Sequence, residues 1–158
     1  MANLIEHKRV NFDYELLEQF EAGLQLFGTE VKSLRAHHGK LEGAHITVRG
    51  GEAFLLNAEI PPYQSANAPE DYDAKRNRRL LLTKKELAEL AKAEEQSGLT
   101  IVPISMYNKG RNIKLRLAVA RGKKKADKRE TIKKREALRE IARVVKGEVK
   151  NFRDKLHA

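Results

Sequence analysis

Apolar and polar residues alternate over two stretches of this sequence, and each alternation is interrupted by a glycine-containing turn. Ala44, Ile46 and Val48 alternate with polar side chains, a period of two that predicts a strand with one buried face. Gly50-Gly51 follows and is typical of a two-residue hairpin turn, because such turns require positive φ angles. The return strand is predicted to carry one apolar face made of Phe54, Leu56, Ala58 and Ile60.

A second hairpin is predicted around the turn Asn108-Lys109-Gly110, which follows an apolar run from Ile101 to Tyr107. After the turn, apolar residues again alternate with others. The apolar set is Ile113, Leu115, Leu117 and Val119, and the intervening set is Lys114, Arg116 and Ala118. A strand with one polar face predicts a sheet that has its core on one side and solvent or a ligand on the other.

Two further segments, Tyr14–Leu26 and Arg79–Thr83, are candidate strands, although residues 16–19 fit a helix equally well. Residues 61–77 contain three prolines and no period. They are predicted to form a long loop, and loops of that length inside a compact domain are usually functional or mobile. Short strands, polar turns and few helices favour a mainly β fold, with an antiparallel sheet closed or partly closed into a small barrel.

One internal helix has clear start and stop signals. Thr83-Lys84-Lys85-Glu86 has the pattern of a capping box, and Gly98 marks the end of the helix. Between them, Leu87, Leu90 and Ala91 fall at helical spacing. A shorter helix is predicted over residues 30–36.

Positive charge is concentrated at the C-terminal end of the chain. Residues 121–158 hold 15 Lys/Arg and six Asp/Glu, which gives nine of the ten formal positive charges. We therefore predict a nearly neutral domain over residues 1–120 and a basic tail over residues 121–158. The tail is expected to bind a polyanion, above all a nucleic acid, because Lys and Arg release condensed counterions from phosphates.

The tail is predicted to contain a helix that begins near Asp127-Lys128-Arg129-Glu130. Its apolar stripe is formed by Leu138, Ile141, Val145 and Val149. Because this stripe has no evident partner and the surrounding charges repel one another, the helix is expected to be marginal alone and to form on binding.

Composition argues against several classes of protein. The chain has no cysteine, which excludes a thiol nucleophile and fits the reducing cytoplasm. No apolar run approaches the roughly 18 residues of a membrane span, and the N-terminus has no signal-peptide core. The tail could also lie on an anionic membrane surface, but RNA is favoured because Phe152 is its only aromatic residue.

Catalytic and metal-binding signals are weak. His37-His38 are adjacent and have no flanking carboxylate cluster, so they are interpreted as a polar loop pair and not as metal ligands. No set of nucleophile, base and acid is recognised. We expect neither a metal nor a cofactor, and a protein that is not an enzyme.

Two basic clusters are candidate contacts with nucleic acid. Residues 75–79 precede an apolar strand, and their alternative role is that of a charged edge that discourages strand pairing. The second cluster contains residues 123–125 together with Lys128-Arg129. Its alternative role is nonspecific electrostatic attraction without a defined partner.

Four motifs follow one another along the chain. In the first, Glu21-Ala22-Gly23-Leu24 precedes Gly28 and then Glu30-Val31-Lys32-Ser33-Leu34-Arg35. The others are residues 51–55, residues 78–82, and Gly122-Lys123-Lys124 followed by Asp127-Lys128-Arg129. Together they resemble the SsrA-binding protein family, also called small protein B. The resemblance spans residues 8 to 140 or so.

This resemblance implies an OB-like antiparallel barrel of about six strands with about three helices, the last of them in the tail. It implies that the body binds the tRNA-like domain of transfer-messenger RNA. It also implies that the tail enters the decoding region and the empty mRNA channel of a stalled ribosome, which trans-translation then rescues. A cytoplasmic monomer without a membrane partner is expected.

The residues that match the family's RNA-binding positions are Glu21, Leu81 and Lys114. A carboxylate cannot bind a phosphate, so Glu21 is interpreted as orienting a basic side chain or accepting a hydrogen bond from a base or ribose hydroxyl. Other residues expected at the RNA interface are Lys8, Arg9, Lys32, Arg35, Lys40, Arg76, Arg78 and Arg79. Those expected to bind the ribosome are Gly122, Lys123, Lys124, Lys125, Asp127, Lys128, Arg129, Lys133, Lys134 and Arg135.

The sequence departs from the family pattern at three places. Ala126 replaces a common His or aromatic residue, His7 replaces a common Asn, and His37-His38-Gly39-Lys40 replaces the usual Gly-Lys loop. The rival interpretation is a generic OB-type RNA-binding or ribosomal protein whose tail docks on rRNA.

Overall fold

The computed structural model describes residues 2–64, 70–123, 129 and 132–143. These residues contain seven strands and four helices. In chain order the elements are β1 (Asn3–Glu6), α1 (Val10–Asp13), β2 (Tyr14–Leu24), α2 (Gly28–Arg35), β3 (His45–Arg49), β4 (Glu52–Leu56), β5 (Arg78–Leu81), α3 (Lys84–Glu95), β6 (Leu99–Lys109), β7 (Asn112–Gly122) and α4 (132–143).

All seven strands belong to one antiparallel sheet with the order β1-β6-β7-β2-β5-β4-β3. Its two edge strands, β1 and β3, are not paired with each other, so the sheet is open. It curls enough to bring β3 close to β6. The prediction of a mainly β, OB-like antiparallel fold is confirmed. The described sheet has one strand more than expected, because no alternation marks the short β1.

The hairpin of β6 and β7 is confirmed and supplies much of the core. Ile113, Leu115, Leu117 and Val119 are all buried on one face of β7. The opposite face is not polar along its whole length, however. Ala118 and Ala120 are also buried, and Ala120 packs with Val102 and Val10 in a second small cluster under α1.

The predicted apolar face of the first return strand is wrong for half of its members. In β4 the buried residues are Ala53 and Leu55, whereas Phe54 and Leu56 are partly exposed. Asn57 then adopts a φ of 62°, a left-handed conformation that Asn tolerates better than most residues. This residue reverses the alternation, and Ala58 and Ile60 are buried as predicted.

The two longer helices of residues 1–122, α2 and α3, each begin with a carboxylate hydrogen-bonded to the preceding backbone. The Glu86 N–H donates to Thr83 Oγ1 at 3.2 Å, and the Thr83 N–H donates to Glu86 at 3.1 Å, which confirms the capping box of α3. The α2 helix begins after Phe27, whose N–H donates to Glu30 Oε1 at 2.8 Å. It starts two residues earlier than predicted. Residues 16–19 are strand and not helix.

Residues 1–122 form one compact unit, and residues 123–158 form another. In the second unit, residues 132–143 are helical, and Leu138 and Ile141 of the predicted stripe are exposed. Val145, Val149 and the predicted helix start at Asp127 lie outside the described residues, so the length of the tail helix and its behaviour in isolation remain predictions.

Candidate nucleic-acid interface

Four neighbouring strands place part of the candidate site in one row across the sheet. The antiparallel register pairs Tyr107 with Lys114, Lys114 with Gly23, and Gly23 with Leu81. Directly paired residues project from the same face of a sheet, so these four positions lie side by side on β6, β7, β2 and β5. We call this surface the strand face.

Gly23 keeps the middle of the strand face open. A Cβ at this position would lie 3.1 Å from the Cβ of Leu81, closer than the usual separation of packed carbon atoms. A groove runs beside Leu81, which is 48% exposed, and Arg111 and Lys114 also line this groove. An apolar projection next to cations suits a ligand that combines flat apolar surfaces with negative charge, as a nucleic acid does.

Glu21 holds one basic side chain beside the strand face, Lys109, in position. Its carboxylate accepts hydrogen bonds from Lys109 Nζ, at 2.8 Å, and from the Tyr107 hydroxyl. The Arg116 guanidinium lies 5.3 Å from the centroid of the Tyr107 ring. The hydrogen bonds from Lys109 and Tyr107 lower the pKa of Glu21, while burial and the bond to Glu21 raise the pKa of Tyr107. Glu21 therefore orients a basic side chain, the first of the two roles considered for it.

The α2 helix adds two exposed cations, Lys32 and Arg35. Arg35 Nη2 donates to the carbonyl oxygen of Arg111 at 3.2 Å. This bond ties the end of α2 to the β6–β7 turn, which borders the groove of the strand face. Lys32 lines a different groove, which it shares with Tyr72 and Arg76.

A second carboxylate, Glu30, is completely buried at the start of α2. Arg76 Nη2 lies 2.5 Å from Glu30 Oε1, and Arg78 Nη2 lies 2.6 Å from Oε2. The Tyr72 hydroxyl is 3.1 Å from Oε2. Burial raises the pKa of Glu30, but the hydrogen bonds from Arg76 and the Phe27 N–H, together with the charge of Arg78, outweigh it and hold the pKa below its ordinary value. These contacts attach the loop at 70–77 to α2.

Arg78 is not available to bind RNA, contrary to the expectation from its basic cluster. Its guanidinium is fully buried. Besides Glu30, it donates from Nη1 to the carbonyl oxygen of Ala58 at 2.7 Å and from Nη2 to that of Ala74 at 3.0 Å. A guanidinium that is buried and hydrogen-bonded on both sides is part of the structural core. Arg79, the next residue, is exposed and pairs with Glu52 at 3.0 Å.

Comparison with known proteins identifies the family. The family model described as SmpB protein matches residues 4–147. The chain is 46% identical over 147 residues to the SsrA-binding protein of Chelativorans sp. (strain BNC1), covering 92% of this chain and 94% of the relative. It is 45% identical to the SsrA-binding protein of Microcystis aeruginosa, covering 90% and 93%. The chain belongs to the SmpB family.

A solved structure supports the same assignment. It is described as "tmRNA-SmpB: a journey to the center of the bacterial ribosome". The matched chain has 42% sequence identity and a TM-score of 0.65, covering 80% of this chain and 92% of that one. The SmpB family is a family of RNA-binding proteins, which agrees with the cationic strand face described above.

Other expected RNA contacts of this SmpB-family chain lie away from the strand face. Lys8 and Lys40 are exposed and line a common groove beside β1. Arg9 lies over the ring of Phe12, with its guanidinium carbon 4.9 Å from the ring centroid. The groove that Lys8 and Lys40 line contains none of the residues that define the strand face.

The tail residues are only partly within the described chain. Gly122 ends β7, where it pairs with Tyr14, and Lys123 follows it. Arg129 and the helical residues Lys133, Lys134 and Arg135 are exposed. Lys124, Lys125, Asp127 and Lys128 lie outside the described residues, as does Ala126. Their predicted role in binding the ribosome stays a prediction.

The site of this SmpB-family chain includes residues that the sequence did not single out. The sequence pattern places Tyr107 at the end of an apolar run and Lys109 in a turn, yet both bind Glu21. The alternation in β7 marked Arg116 as polar without assigning it a role. The signal that could have found Tyr107 is the hairpin register, which places it opposite Lys114. Glu30 had no signal of its own beyond membership of the family motif.

The histidine pair at the end of α2 behaves as a loop pair. His37 adopts a φ of 63°, and its Nδ1 lies 2.9 Å from the carbonyl oxygen of Leu4. Within the part of the chain that the structure describes, no three His, Asp or Glu side chains come together as a metal site would require. No helix there is both long enough and apolar enough to cross a membrane.

Proposed function

We propose that this SmpB-family chain binds transfer-messenger RNA and acts with it on stalled ribosomes in trans-translation. Its relatives are SsrA-binding proteins that match more than 90% of their own length, and its structural relative comes from work on tmRNA-SmpB and the bacterial ribosome. RNA recognition is assigned to the unit of residues 1–122 and ribosome recognition to the basic tail. No catalytic step is part of the proposal, and the protein works as a monomer in the cytoplasm, where ribosomes are.

The observation that carries this proposal is the strand face. Lys114, Lys109 and Arg116 bring three cationic side chains, one of them paired with Glu21, to the same surface as the exposed Leu81. The Glu21 carboxylate accepts hydrogen bonds from Lys109 and from the hydroxyl of Tyr107, and the ring of Tyr107 lies against the Arg116 guanidinium. Folded RNA is recognised largely through its shape, its phosphates and its ribose hydroxyls. A preformed surface of fixed cations around an apolar projection meets that requirement without reading base sequence.

The tail supplies most of the long-range attraction. Residues 121–158 carry nine excess positive charges, and the vacant mRNA channel of a stalled ribosome is a long anionic groove. The helix at 132–143 has exposed cations beside exposed Leu138 and Ile141. We assign the ribosome-binding role to this segment and to Gly122–Arg129 before it.

A truncated chain tests the division of labour. Stopping the chain after Arg121 should leave affinity for a tRNA-like RNA transcript within about tenfold of the full chain, or roughly 1.4 kcal/mol. The same variant should lose rescue of a ribosome stalled on a truncated message in a translation extract. A tail of scrambled sequence and identical composition is the matched control. If the scrambled tail restores rescue, the tail is a simple electrostatic tether and its specific role is wrong.

Body variants test the strand face directly. Glu21→Ala and Leu81→Asp should each weaken binding to the tRNA-like RNA more than Lys133→Ala does, since that tail change removes one cation outside the strand face. Loss of a single phosphate contact weakens every RNA about equally and lowers the salt slope by roughly 0.7–0.9. Circular dichroism must show that Leu81→Asp keeps its fold. Normal binding by both folded body variants would place the RNA elsewhere on the protein.

A further inference from the structure

A second groove lies beside the strand face, where the chain leaves β2 and enters β5. Its walls include two aromatic rings, Phe27 and Phe54, and two guanidinium groups, Arg76 and Arg79, with Gln25 and Asn77 also along it. No Asp or Glu is among its lining residues. Leu24 and Leu26 line both this groove and that of the strand face, so the two grooves are contiguous.

Phe27 is an exposed aromatic ring in a fixed setting. It is 55% exposed, and the guanidinium carbon of Arg76 lies 4.0 Å from its ring centroid. The guanidinium is itself fixed by Glu30 Oε1 at 2.5 Å and by the carbonyl oxygens of Gln25 and Asn77 at 3.4 and 3.3 Å. Glu30 shares its single negative charge between Arg76 and Arg78, so it offsets only part of their combined charge. Its bond nevertheless holds the Arg76 guanidinium against the Phe27 ring, where Arg76 forms part of the stacking surface.

Arg79 contributes the exchangeable charge of the groove. It pairs with Phe54 across the β4–β5 ladder, and its guanidinium contacts Glu52 at 3.0 Å. Both side chains of this ion pair are 45% exposed. An ion pair so open to water contributes little to stability, so a phosphate can replace the Glu52 carboxylate at small cost. Arg79 is the cation of this groove that is free to change its partner.

We propose that this groove is a further RNA subsite that takes one unstacked nucleotide, with its base on Phe27 and its phosphate on Arg79. The inference rests on the proposed function, since it extends the same RNA interface past Leu24 and Leu26. An aromatic ring accepts any base face and a guanidinium accepts a phosphate. A flat ring, a cation with an exposed and exchangeable partner, and two amide side chains in one groove match the parts of a nucleotide. An apolar peptide segment would bring no anionic group for Arg79 to exchange for Glu52.

Phe27→Ala in the full chain tests the stacking surface. Loss of one base–aromatic stack should weaken binding to the tRNA-like RNA transcript by about 5- to 20-fold, with an unchanged salt slope. Phe27→Trp should restore the affinity, because a larger ring stacks at least as well. Tyr63→Ala is the matched control, since it removes another exposed ring that does not line this groove, and it should bind as the wild type does. Ultraviolet crosslinking should attach a nucleotide to the peptide that contains Phe27.

Arg79→Gln tests the phosphate contact. It should lower the salt slope of RNA binding by roughly 0.7–0.9, as loss of one phosphate contact requires. Phe27→Ala that binds RNA as tightly as the wild type would overturn the subsite while leaving the proposed function intact. The same result joined to weaker cosedimentation with ribosomes would assign the groove to a ribosomal partner instead. If the wild-type chain itself fails to bind the transcript, the proposed function fails first.

Discussion

Two carboxylates of this protein have similar partners in opposite surroundings. Glu21 accepts hydrogen bonds from the buried Tyr107 and from the exposed Lys109 on the strand face. Glu30 lies near the Tyr72 hydroxyl and accepts from arginines inside the compact unit. Each therefore combines one phenol with cationic side chains, and each has a lowered pKa. The two carboxylates differ in their access to water, because Glu30 is fully buried and Glu21 is exposed.

That difference assigns the two groups to different tasks. At the surface, water can replace any partner that is removed, and exposed ion pairs contribute little to stability. In the interior, removal of one partner leaves the other charge without solvation. Glu30 therefore holds the fold together by joining the 70–77 loop to α2, whereas Glu21 orients Lys109 on a surface that a ligand can reach.

The largest expected effect is the loss of the buried carboxylate. Glu30→Ala would leave the buried Arg78 guanidinium without its counter-charge, which should lower the free energy of unfolding by about 3–5 kcal/mol. Glu21→Ala is the matched control, and its urea midpoint should stay close to that of the wild type. Chemical denaturation followed by circular dichroism measures both. Equal midpoints for the two variants would mean that burial does not separate the two carboxylates.

The second effect is a dependence of stability on pH. Because the pKa of Glu30 is lower in the folded state, the unfolded chain binds its proton more readily. The ionised Glu30 carboxylate therefore stabilises the fold above the ordinary Glu pKa of about 4.3. This stabilisation is lost as the pH falls through the pKa that Glu30 has in the folded protein. Glu30→Gln is the control, since an amide does not titrate.

The wild-type advantage over Glu30→Gln in unfolding free energy should shrink as pH is lowered from about 6 to about 3. Urea unfolding of both proteins across this range measures it. An advantage that stays constant would show that the carboxylate keeps its ordinary pKa in the folded protein.

The same two clusters show what the sequence can predict. Alternation located the hairpins, because a strand with one buried face must repeat every two residues. The same rule applied to β5 would have placed Arg78 inside, since it shares the inward face with Leu80. Its position in a basic cluster suggested a surface residue instead. The alternation of β4 failed at Asn57, where a single positive φ reverses the phase.

The contacts of the site could not be predicted in this way. Glu21 and Tyr107 are 86 positions apart, and Glu30 and Arg78 are 48 apart. Contacts at such distances depend on the order of the strands and on their register, and neither follows from local pattern. The family resemblance supplied Glu21, Leu81 and Lys114 as a set, and only the folded sheet brings Tyr107 and Lys109 to them.

The smallest effect, and the sharpest test of the comparison, comes from removing one hydroxyl in each cluster. The Tyr72 hydroxyl lies 2.7 Å from the carbonyl oxygen of Ile60 and 3.1 Å from Glu30, so Tyr72→Phe should cost about 1 kcal/mol of unfolding free energy and leave RNA affinity unchanged. Tyr107→Phe removes a bond to Glu21, which retains Lys109 and water as partners. It should therefore barely change the urea midpoint, yet weaken RNA binding by about two- to fivefold, since the loss of one hydrogen bond at a site is worth that much. Each variant lacks one phenol oxygen, so their comparison isolates the surroundings of the two carboxylates. If Tyr107→Phe destabilises the fold while Tyr72→Phe weakens RNA binding, the roles assigned to the two carboxylates are reversed.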